Sequence, residues 1–275
     1  MTQSKQCFIL FTRTIDRNAK TLSTHFSDTI DFYTMTYDRH GEKFSGNING
    51  IEHRIYSEKS ISDMFFKSQP KYQPNNWTIM PGNLDLCQLR FIKDHPNYDY
   101  YWFCEDDVRY TGDFNEFIAN FKHCEDDLLC TNKRTIHPDW AHRQSYTCPF
   151  SKSEPNICVF LPFFRLSKTG AQVLTSAFNI GWSGHHEILW PAIFEHYDLK
   201  ISDFNDHGSS YYTSNLESEG IGPGTFVYEP PRAFAGFKKN KLWHPVKPFR
   251  DYFFRTKELV RRKTKERIRQ LLGRG

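Results

Sequence analysis

The feature that most constrains the fold is the segment YDYYWFCEDDV, residues 98–108, in which an aromatic run leads into three consecutive acids. A run this short and this apolar is typical of a strand buried in a sheet, and we expect it to be the central strand. Its end then delivers carboxylates to the edge of the sheet, where ligands of open α/β sheets bind. The sequence therefore predicts an α/β fold with a polar site at the end of this strand.

The three acids are Glu105, Asp106 and Asp107. If the strand stays extended through them, the first and the third point the same way. Two converging carboxylates repel each other unless a cation lies between them. Oxygen ligands favour a hard divalent ion such as Mn²⁺ or Mg²⁺, which leaves open positions for diphosphate oxygens. We therefore expect a divalent-metal site here; the alternative is a surface turn with solvated acids.

Strand and helix signals alternate along the rest of the chain, which favours α/β architecture. The predicted strands are residues 7–12, 29–36 and 127–131, with a further aromatic run at 160–164. The predicted helices are residues 83–95, capped by Asn83, and residues 113–121, 167–178 and 186–196. The predicted loops are residues 132–155 and 203–226.

Composition and cysteine usage exclude several classes of protein. Aromatic residues make up 16% of the 275 residues, which supplies enough apolar surface for a core. The sequence has no apolar run of ~18 residues, so we predict no transmembrane helix, and residues 1–12 are predicted as a first strand and not as a signal peptide. Seven cysteines without a C-x-x-C pair predict neither a disulfide framework nor structural zinc, and favour a reducing cytoplasm.

The acidic triplet at residues 105–107 resembles the D-x-D motif of GT-A glycosyltransferases. The preceding helix, with Asn83 and Asp85, resembles the segment of those enzymes that packs beside the donor sugar. The resemblance spans roughly residues 5–248. The chain is most similar in type to small bacterial transferases that build lipopolysaccharide or capsule. It implies a GT-A-like, Rossmann-type mixed sheet flanked by helices, and a nucleotide-sugar donor with UDP as the expected nucleotide.

A second segment, KLWHPVKP at residues 241–248, is similar to a late His and Lys of GT-A enzymes. The resemblance implies that His244 completes the metal shell and that Lys247 neutralises the leaving diphosphate. Imidazole is an acceptable Mn²⁺ ligand, and a lysine on the β-phosphate stabilises charge that develops as the glycosidic bond breaks. The alternative is that this segment only anchors the chain. Residues 232–240 before it are predicted as a loop that orders over the donor, with Gly236 as hinge.

The segment GWSGHHE, residues 181–187, resembles the acceptor-side loop of GT-A enzymes, where an acid opens a helix beneath the sugar. This implies Glu187 as the base that deprotonates the acceptor hydroxyl in an inverting transfer. Trp182 would offer a face on which a sugar ring stacks. A capping acid beside a core Trp is the alternative, and Asp203 and Asp206 are the other candidates for the base. The H-H-E sequence lacks the H-E-x-x-H spacing of a zinc hydrolase.

Three polar residues, Thr12, Arg13 and Asp38, follow the first two predicted strands. In a nucleotide-binding α/β half those strand ends contact base and ribose, so these residues are candidates for binding the donor. Ordinary loop residues are the alternative. A second acidic triplet, residues 125–127, precedes an apolar run instead of ending one, and we predict it to be solvated charge.

Residues 249–275 form a basic tail in which apolar residues recur at roughly helical spacing. We predict a catalytic domain at 1–248 and an amphipathic helix at 249–275 that lies on an anionic membrane. The alternative is that this helix packs on its own domain or on a partner. Because the basic charge is confined to this short tail, nucleic acid is not an expected partner.

These observations predict a divalent-metal-dependent glycosyltransferase that moves a sugar from a UDP-sugar to a glycan or lipid-linked glycan acceptor. We expect it in the cytoplasm, at the inner face of the membrane. Two alternatives stay open: a metal-dependent nucleotidyltransferase that uses the same acids, and a non-catalytic sugar- or nucleic-acid-binding module. The sequence contains neither a G-x-x-x-x-G-K-[ST] nor a G-x-G-x-x-G motif, which counts against kinases and dinucleotide enzymes.

Overall fold

The structure is a computed structural model with two compact units. Unit 1 comprises residues 1–106 and 114–209, and unit 2 comprises residues 107–113 and 210–275. The predicted domain division after residue 248 stays a prediction. The residues that the structure describes are 4–26, 30–38, 45–57, 59–61, 84–138, 140, 142–143, 146–150, 155–214 and 223–271.

Unit 1 contains most of the secondary structure. Its strands are β1 (Gln6–Phe11), β2 (Asp31–Tyr37), β3 (Gly46–Ile48), β4 (Ile51–Tyr56), β5 (Tyr100–Glu105), β7 (Leu128–Thr135), β8 (Tyr146–Thr147), β9 (Ile157–Ser167), β10 (Ser183–Gly184) and β11 (Ile201–Asp203). Its helices are α1 (Arg17–Phe26), α2 (Asp85–Asp94), α3 (Phe114–Ala119), α4 (Lys168–Asn179), α5 (His186–His196) and the short 3₁₀ helix Phe204–Asp206. Unit 2 contains β6 (Arg109–Tyr110), β12 (Leu242–Trp243) and α6 (Phe249–Leu271).

In the described part of unit 1, eight strands form one mixed sheet in the order β11-β7-β9-β5-β1-β2-β4-β3. Strands β5, β1, β2 and β4 are parallel neighbours, while β9 runs antiparallel to both β5 and β7. This arrangement confirms the predicted Rossmann-type α/β fold with a mixed sheet flanked by helices.

The central strands are buried on both faces, which is why they read as continuous apolar runs. On one face Ile9 and Phe103 belong to a core that includes residues of α2, α4 and α5. On the other face the Phe8 ring lies 4.7 Å from that of Phe26 in α1, and the Trp102 ring lies 6.0 Å from that of Phe117 in α3. Alternate side chains of β1 and β5 therefore serve two cores, as a pleated strand requires.

Most element predictions are confirmed to within about two residues, and two are corrected. The central strand was predicted to continue to residue 108, whereas β5 ends at Glu105. The predicted loop at 132–155 begins too early, because β7 continues to Thr135 through irregular pairing with β9. Helix α2 has Leu84 at its N-cap position without a side-chain cap, and Asn83, the predicted cap, lies outside the described residues.

Candidate functional site

The carboxyl ends of β1, β2, β4 and β5 meet at one edge of the sheet because these strands are parallel neighbours. From β1 the chain proceeds to β2 and β4 on one side, and later returns to β5 on the other side. The strand order thus reverses at β1. In open α/β sheets, the crevice outside the carboxyl ends at such a switch point is where ligands bind.

Thr12 and Asp106 lie at this switch point. Thr12 directly follows β1 and is buried, and its backbone N–H donates to the carbonyl of Met35 in β2 at 2.9 Å. Its Oγ1 donates to the carbonyl of Thr14 at 2.9 Å and lies 3.5 Å from Oδ2 of Asp106, which directly follows β5. The ends of β1 and β5 are therefore joined by polar side chains.

The other predicted donor-binding residues of unit 1 also lie near the sheet. Arg13 is exposed after β1, and the half-buried Asp38 follows β2, where its backbone N–H donates to the carbonyl of Tyr56 at 2.9 Å. Glu105 is the half-buried last residue of β5. Asp85 is buried at the first position of α2. Their proposed functions stay predictions.

The premise that Glu105 and Asp107 share one face of an extended strand is wrong. The strand ends at Glu105, and the next two residues form a turn. The turn places Asp106 in an exposed position and buries Asp107. Asp107 belongs to unit 2, where its environment is decided by a distant segment of the chain.

Antiparallel pairing of β6 with β12 brings that distant segment to Asp107. The register opposes Arg109 to Trp243, and the backbone N–H of Val246 donates to the carbonyl of Asp107 at 2.8 Å. The segment HPVK therefore runs alongside Asp107, although more than a hundred residues separate them in sequence. Of the sequence-predicted site residues, the structure brings together Asp107, His244 and Lys247 in unit 2.

The carboxylate of Asp107 has a nitrogen on each side. His244 Nε2 lies 3.4 Å from Oδ1, and the ammonium of Lys247 contacts Oδ2. Asp107 is 4% exposed and His244 is 5% exposed. Burial raises the pKa of the Asp107 carboxyl, but His244 and Lys247 outweigh burial and hold that pKa below its ordinary range. The carboxylate is therefore ionised at neutral pH.

His244 is oriented as a metal-ligating histidine would be. Its Nδ1 lies 2.6 Å from the carbonyl of Val227, which can only accept, so Nδ1 carries the proton. With both nitrogens protonated, the ring faces the Asp107 carboxylate through Nε2–H, and a cation that replaces this proton would take the Nε2 lone pair. A carbonyl that holds the far nitrogen in this way is the usual second-shell partner of a metal-bound imidazole.

The pair Asp107 and His244 fits a divalent ion. Asp107 Oδ1 is buried and accepts no hydrogen bond, and it faces the imidazole of His244. Two adjacent ligand atoms of an octahedral ion such as Mg²⁺ lie about 3 Å apart, close to the observed 3.4 Å. Oxygen and imidazole donors together suit Mg²⁺, Mn²⁺ or Zn²⁺.

Glu187 is the second residue of α5, as predicted for an acid that opens a helix. Its Oε1 accepts a hydrogen bond from the backbone N–H of Leu161 at 3.3 Å, and its Oε2 lies 4.0 Å from Nδ1 of His185. The prediction that Trp182 presents a face to a sugar is wrong. Trp182 is 1% exposed, because its ring packs between neighbouring rings that include His196.

The two alternative bases have structural roles. Asp203 accepts hydrogen bonds from the backbone N–H groups of Lys133 at 3.0 Å and Asn205 at 2.9 Å. Asp206 accepts from the backbone N–H of Asp203, which completes a capping box around the short 3₁₀ helix. Both carboxylates are thus used in fixing this turn.

The prediction that the second acidic triplet is solvated charge is wrong for two of its three residues. Asp126 accepts a hydrogen bond from the Ser202 hydroxyl at 2.5 Å, and Asp127 accepts from the Ser167 hydroxyl at 2.7 Å. These bonds form because β7 lies between β9 and β11 in the sheet. The predicted hinge Gly236 has a steric role, since a Cβ there would collide with the ring of Trp243.

The profile of a family described as "Protein of unknown function (DUF3405)" matches residues 48–127, less than a third of the chain. No curated protein matches.

Two solved structures show distant similarity. A protein described as a glucose-1-phosphate thymidylyltransferase from Bacillus anthracis, in complex with sucrose, is 8% identical, with 72% of this chain and 86% of that chain covered and a TM-score of 0.36. The protein A197 from STIV is 10% identical, with 72% of this chain and 81% of that chain covered and a TM-score of 0.32. Similarities with TM-scores this low assign neither fold nor activity.

Proposed function

We propose that this chain is a divalent-metal-dependent glycosyltransferase with a GT-A-like fold, which moves a sugar from a nucleotide-sugar donor, expected to be a UDP-sugar. The observation that carries the proposal is the group formed by buried Asp107, buried His244 and half-buried Lys247, which begins two residues after the central parallel strand. One anionic oxygen, one imidazole and one ammonium make up a set of groups that can hold a cation and a diphosphate together.

The groups of unit 2 act on the leaving diphosphate. Asp107 and His244 are the proposed metal ligands, and a bound ion would offset the negative charge of the leaving group. Glu105, the last residue of β5, stays a candidate ligand. Lys247, which contacts Asp107 in the structure, would instead meet a phosphate oxygen.

The groups of unit 1 bind the rest of the donor in this proposal. Thr12, Arg13 and Asp38 would contact base and ribose from the ends of β1 and β2, and Asp106 from the end of β5. Support comes from the hydrogen bonds that order Thr12 at the switch point. Asn83 and Asp85 at the start of α2 are proposed to contact the donor sugar.

Glu187 is the proposed base of an inverting reaction. Its carboxylate would take the proton of the acceptor hydroxyl while the acceptor oxygen bonds to the anomeric carbon. The bond from that carbon to the phosphate oxygen breaks, and the nucleoside diphosphate leaves with the electron pair. The half-buried position of Glu187, with Oε1 bound to a backbone N–H and Oε2 near His185, supports this role.

The acceptor is proposed to be a glycan or lipid-linked glycan at a membrane surface, which the exposed face of α6 supports. Phe249, Phe253, Val260 and Leu271 are exposed and fall within about 40° of one another around the helix. The ion pair of Arg262 with Glu229 lies on the opposite side. An exposed apolar stripe on a basic helix is the pattern of an interfacial membrane helix. No described helix combines the length and apolarity needed to span a bilayer.

A screen of nucleotide sugars with the full chain tests the proposed function. We expect release of nucleoside diphosphate from one UDP-sugar in the presence of Mn²⁺, loss of release in EDTA, and recovery when Mn²⁺ is restored. A nucleotidyltransferase would instead release pyrophosphate from a nucleoside triphosphate with a sugar phosphate. Turnover that continues undiminished in EDTA would refute the metal role, and binding of UDP without any turnover would favour a binding module.

A further inference from the structure

A second group of metal-ligand side chains lies in unit 1, at the edge where β7 begins. Cys124 and Asp126 come from the turn between α3 and β7, and His207 directly follows the short 3₁₀ helix after β11. One ligand atom of each residue converges with the other two. The 83 residues that separate Cys124 from His207 explain why no motif spacing in the sequence predicted this group.

The distances within the group match those of a tetrahedral site. Cys124 Sγ lies 3.2 Å from Asp126 Oδ2 and 3.9 Å from His207 Nε2, and these nitrogen and oxygen atoms lie 3.6 Å apart. Ordinary zinc bond lengths at tetrahedral angles place sulfur about 3.6 Å from nitrogen or oxygen, and nitrogen about 3.4 Å from oxygen. Shifts of a few tenths of an ångström would therefore complete the geometry.

The same distances argue against a catalytic Cys-His-Asp relay. In a relay the carboxylate holds the imidazole nitrogen that is far from the nucleophile. Here both Cys124 Sγ and Asp126 Oδ2 face the same atom, Nε2 of His207. Three ligand atoms that converge on one point define a coordination site.

The surrounding structure holds the ligand turn in place. The guanidinium of Arg165, which is buried, donates to the backbone carbonyls of Cys124 at 2.8 Å and Asp126 at 3.0 Å. The Ser202 hydroxyl donates to Asp126 Oδ2 at 2.5 Å, in the position of a second-shell partner. The ring of His207 packs against the buried ring of another residue of the turn, Phe121, with centroids 5.3 Å apart.

We propose that Cys124, Asp126 and His207 form a binding site for a thiolate-seeking divalent metal ion, Zn²⁺ by preference. Sulfur and imidazole donors select Zn²⁺ over Mg²⁺ or Mn²⁺, so this site differs in chemistry from Asp107 and His244. Three protein ligands leave a fourth position of a tetrahedral ion, which water or an external ligand would take. The proposal is independent of the proposed glycosyltransferase activity.

Cobalt spectroscopy on the full chain is the direct test. We expect Co²⁺ bound at this site of the metal-free protein to give a thiolate-to-cobalt charge-transfer band and the visible bands of a four-coordinate ion, and Zn²⁺ to displace it. Asp107 and His244 include no sulfur, so they cannot give this band. Cys124→Ser should abolish the band, whereas Cys148→Ser, a matched change at a half-buried cysteine outside the group, should keep it.

Two further variants keep the test decisive if Cys124→Ser fails to fold. His207→Gln changes an exposed residue and should weaken Zn²⁺ binding at least ~100-fold, and Ser202→Ala should weaken it about 10–100-fold through Asp126. Absence of the charge-transfer band in the wild-type chain, or its survival in Cys124→Ser, would overturn the proposal. So would an unchanged Zn²⁺ affinity in His207→Gln, measured from the loss of the charge-transfer band as Zn²⁺ displaces Co²⁺.

Discussion

Replacing Asp107 with Asn removes one negative charge and almost no volume. In the wild-type chain this carboxylate is 4% exposed, contacts the Lys247 ammonium through Oδ2 and lies 3.4 Å from the imidazole of His244 through Oδ1. The variant therefore leaves the lysine ammonium against a neutral amide and removes the only anionic member of the group of three.

Two magnitudes follow from that environment. Breaking a buried ion pair by removing one partner costs about 3–5 kcal/mol, and we expect the lower end because Lys247 keeps partial contact with water. About 3 kcal/mol corresponds to a decrease in melting temperature of about 6–12 °C for a chain of this size. Mn²⁺ at about 100 times its Kd should stabilise the wild-type protein by about 2.7 kcal/mol, and the Asp107→Asn variant hardly at all.

The assay is thermal unfolding of both proteins with and without Mn²⁺, together with nucleoside-diphosphate release. Turnover by Asp107→Asn should fall at least ~100-fold. Asp198→Asn is the matched control, because Asp198 is exposed and its backbone has φ 58°, which Asn also tolerates. If Asp107→Asn keeps the same melting temperature and the same gain from Mn²⁺ as this control, the inferred metal site is wrong.

Three further predictions concern other regions. Glu187→Gln keeps an oxygen for the Leu161 N–H but removes the base, so sugar transfer should fall ~100-fold or more while UDP affinity, measured by calorimetry, changes little. Burial, together with neighbouring histidines, holds the pKa of His185 well below 6.5, so the folded state resists its protonation. The free energy of unfolding should therefore decrease by up to ~1.4 kcal/mol per pH unit as the pH falls below about 6.5. In His185→Asn, the free energy of unfolding measured with urea should depend less steeply on pH. Phe253→Ser with Val260→Ser should weaken sedimentation with anionic vesicles at least ~10-fold, because the change removes half of the exposed stripe.

Each of these three has its own control or contradicting result. Transfer that persists in Glu187→Gln would exclude this residue as the base. His123→Gln, a change at an exposed histidine, should leave the wild-type pH slope in place, and an unchanged slope in the His185 variant would contradict its assignment. Phe254 is 63% exposed, against 62% for Phe253, but lies about 100° away around α6, so Phe254→Ser should affect vesicle binding much less. Equal losses in both would show that the stripe is not the membrane-binding face.

The sequence by itself determined the elements and the class of fold. The aromatic run before Glu105 can only be buried on both faces, and this predicted the central position of β5 in the sheet. Helix α5 begins and ends where its sequence predicts, at His186 and His196, because local signals decide its boundaries. The composition of residues 249–271 likewise sufficed to predict a basic helix with an apolar stripe.

The tertiary structure alone decided which side chains meet. Asp107 is adjacent to His244 because β6 pairs with β12. The resemblance implied that His244 joins the metal site, but the local pattern around the acids predicted only a strand face shared by Asp107 and Glu105. Burial of Trp182 and the convergence of Cys124 with His207 depend in the same way on packing between segments far apart in sequence. Local periodicity specifies which face of an element is apolar, but the partner of a polar side chain depends on strand order and register, which form only when the whole chain folds.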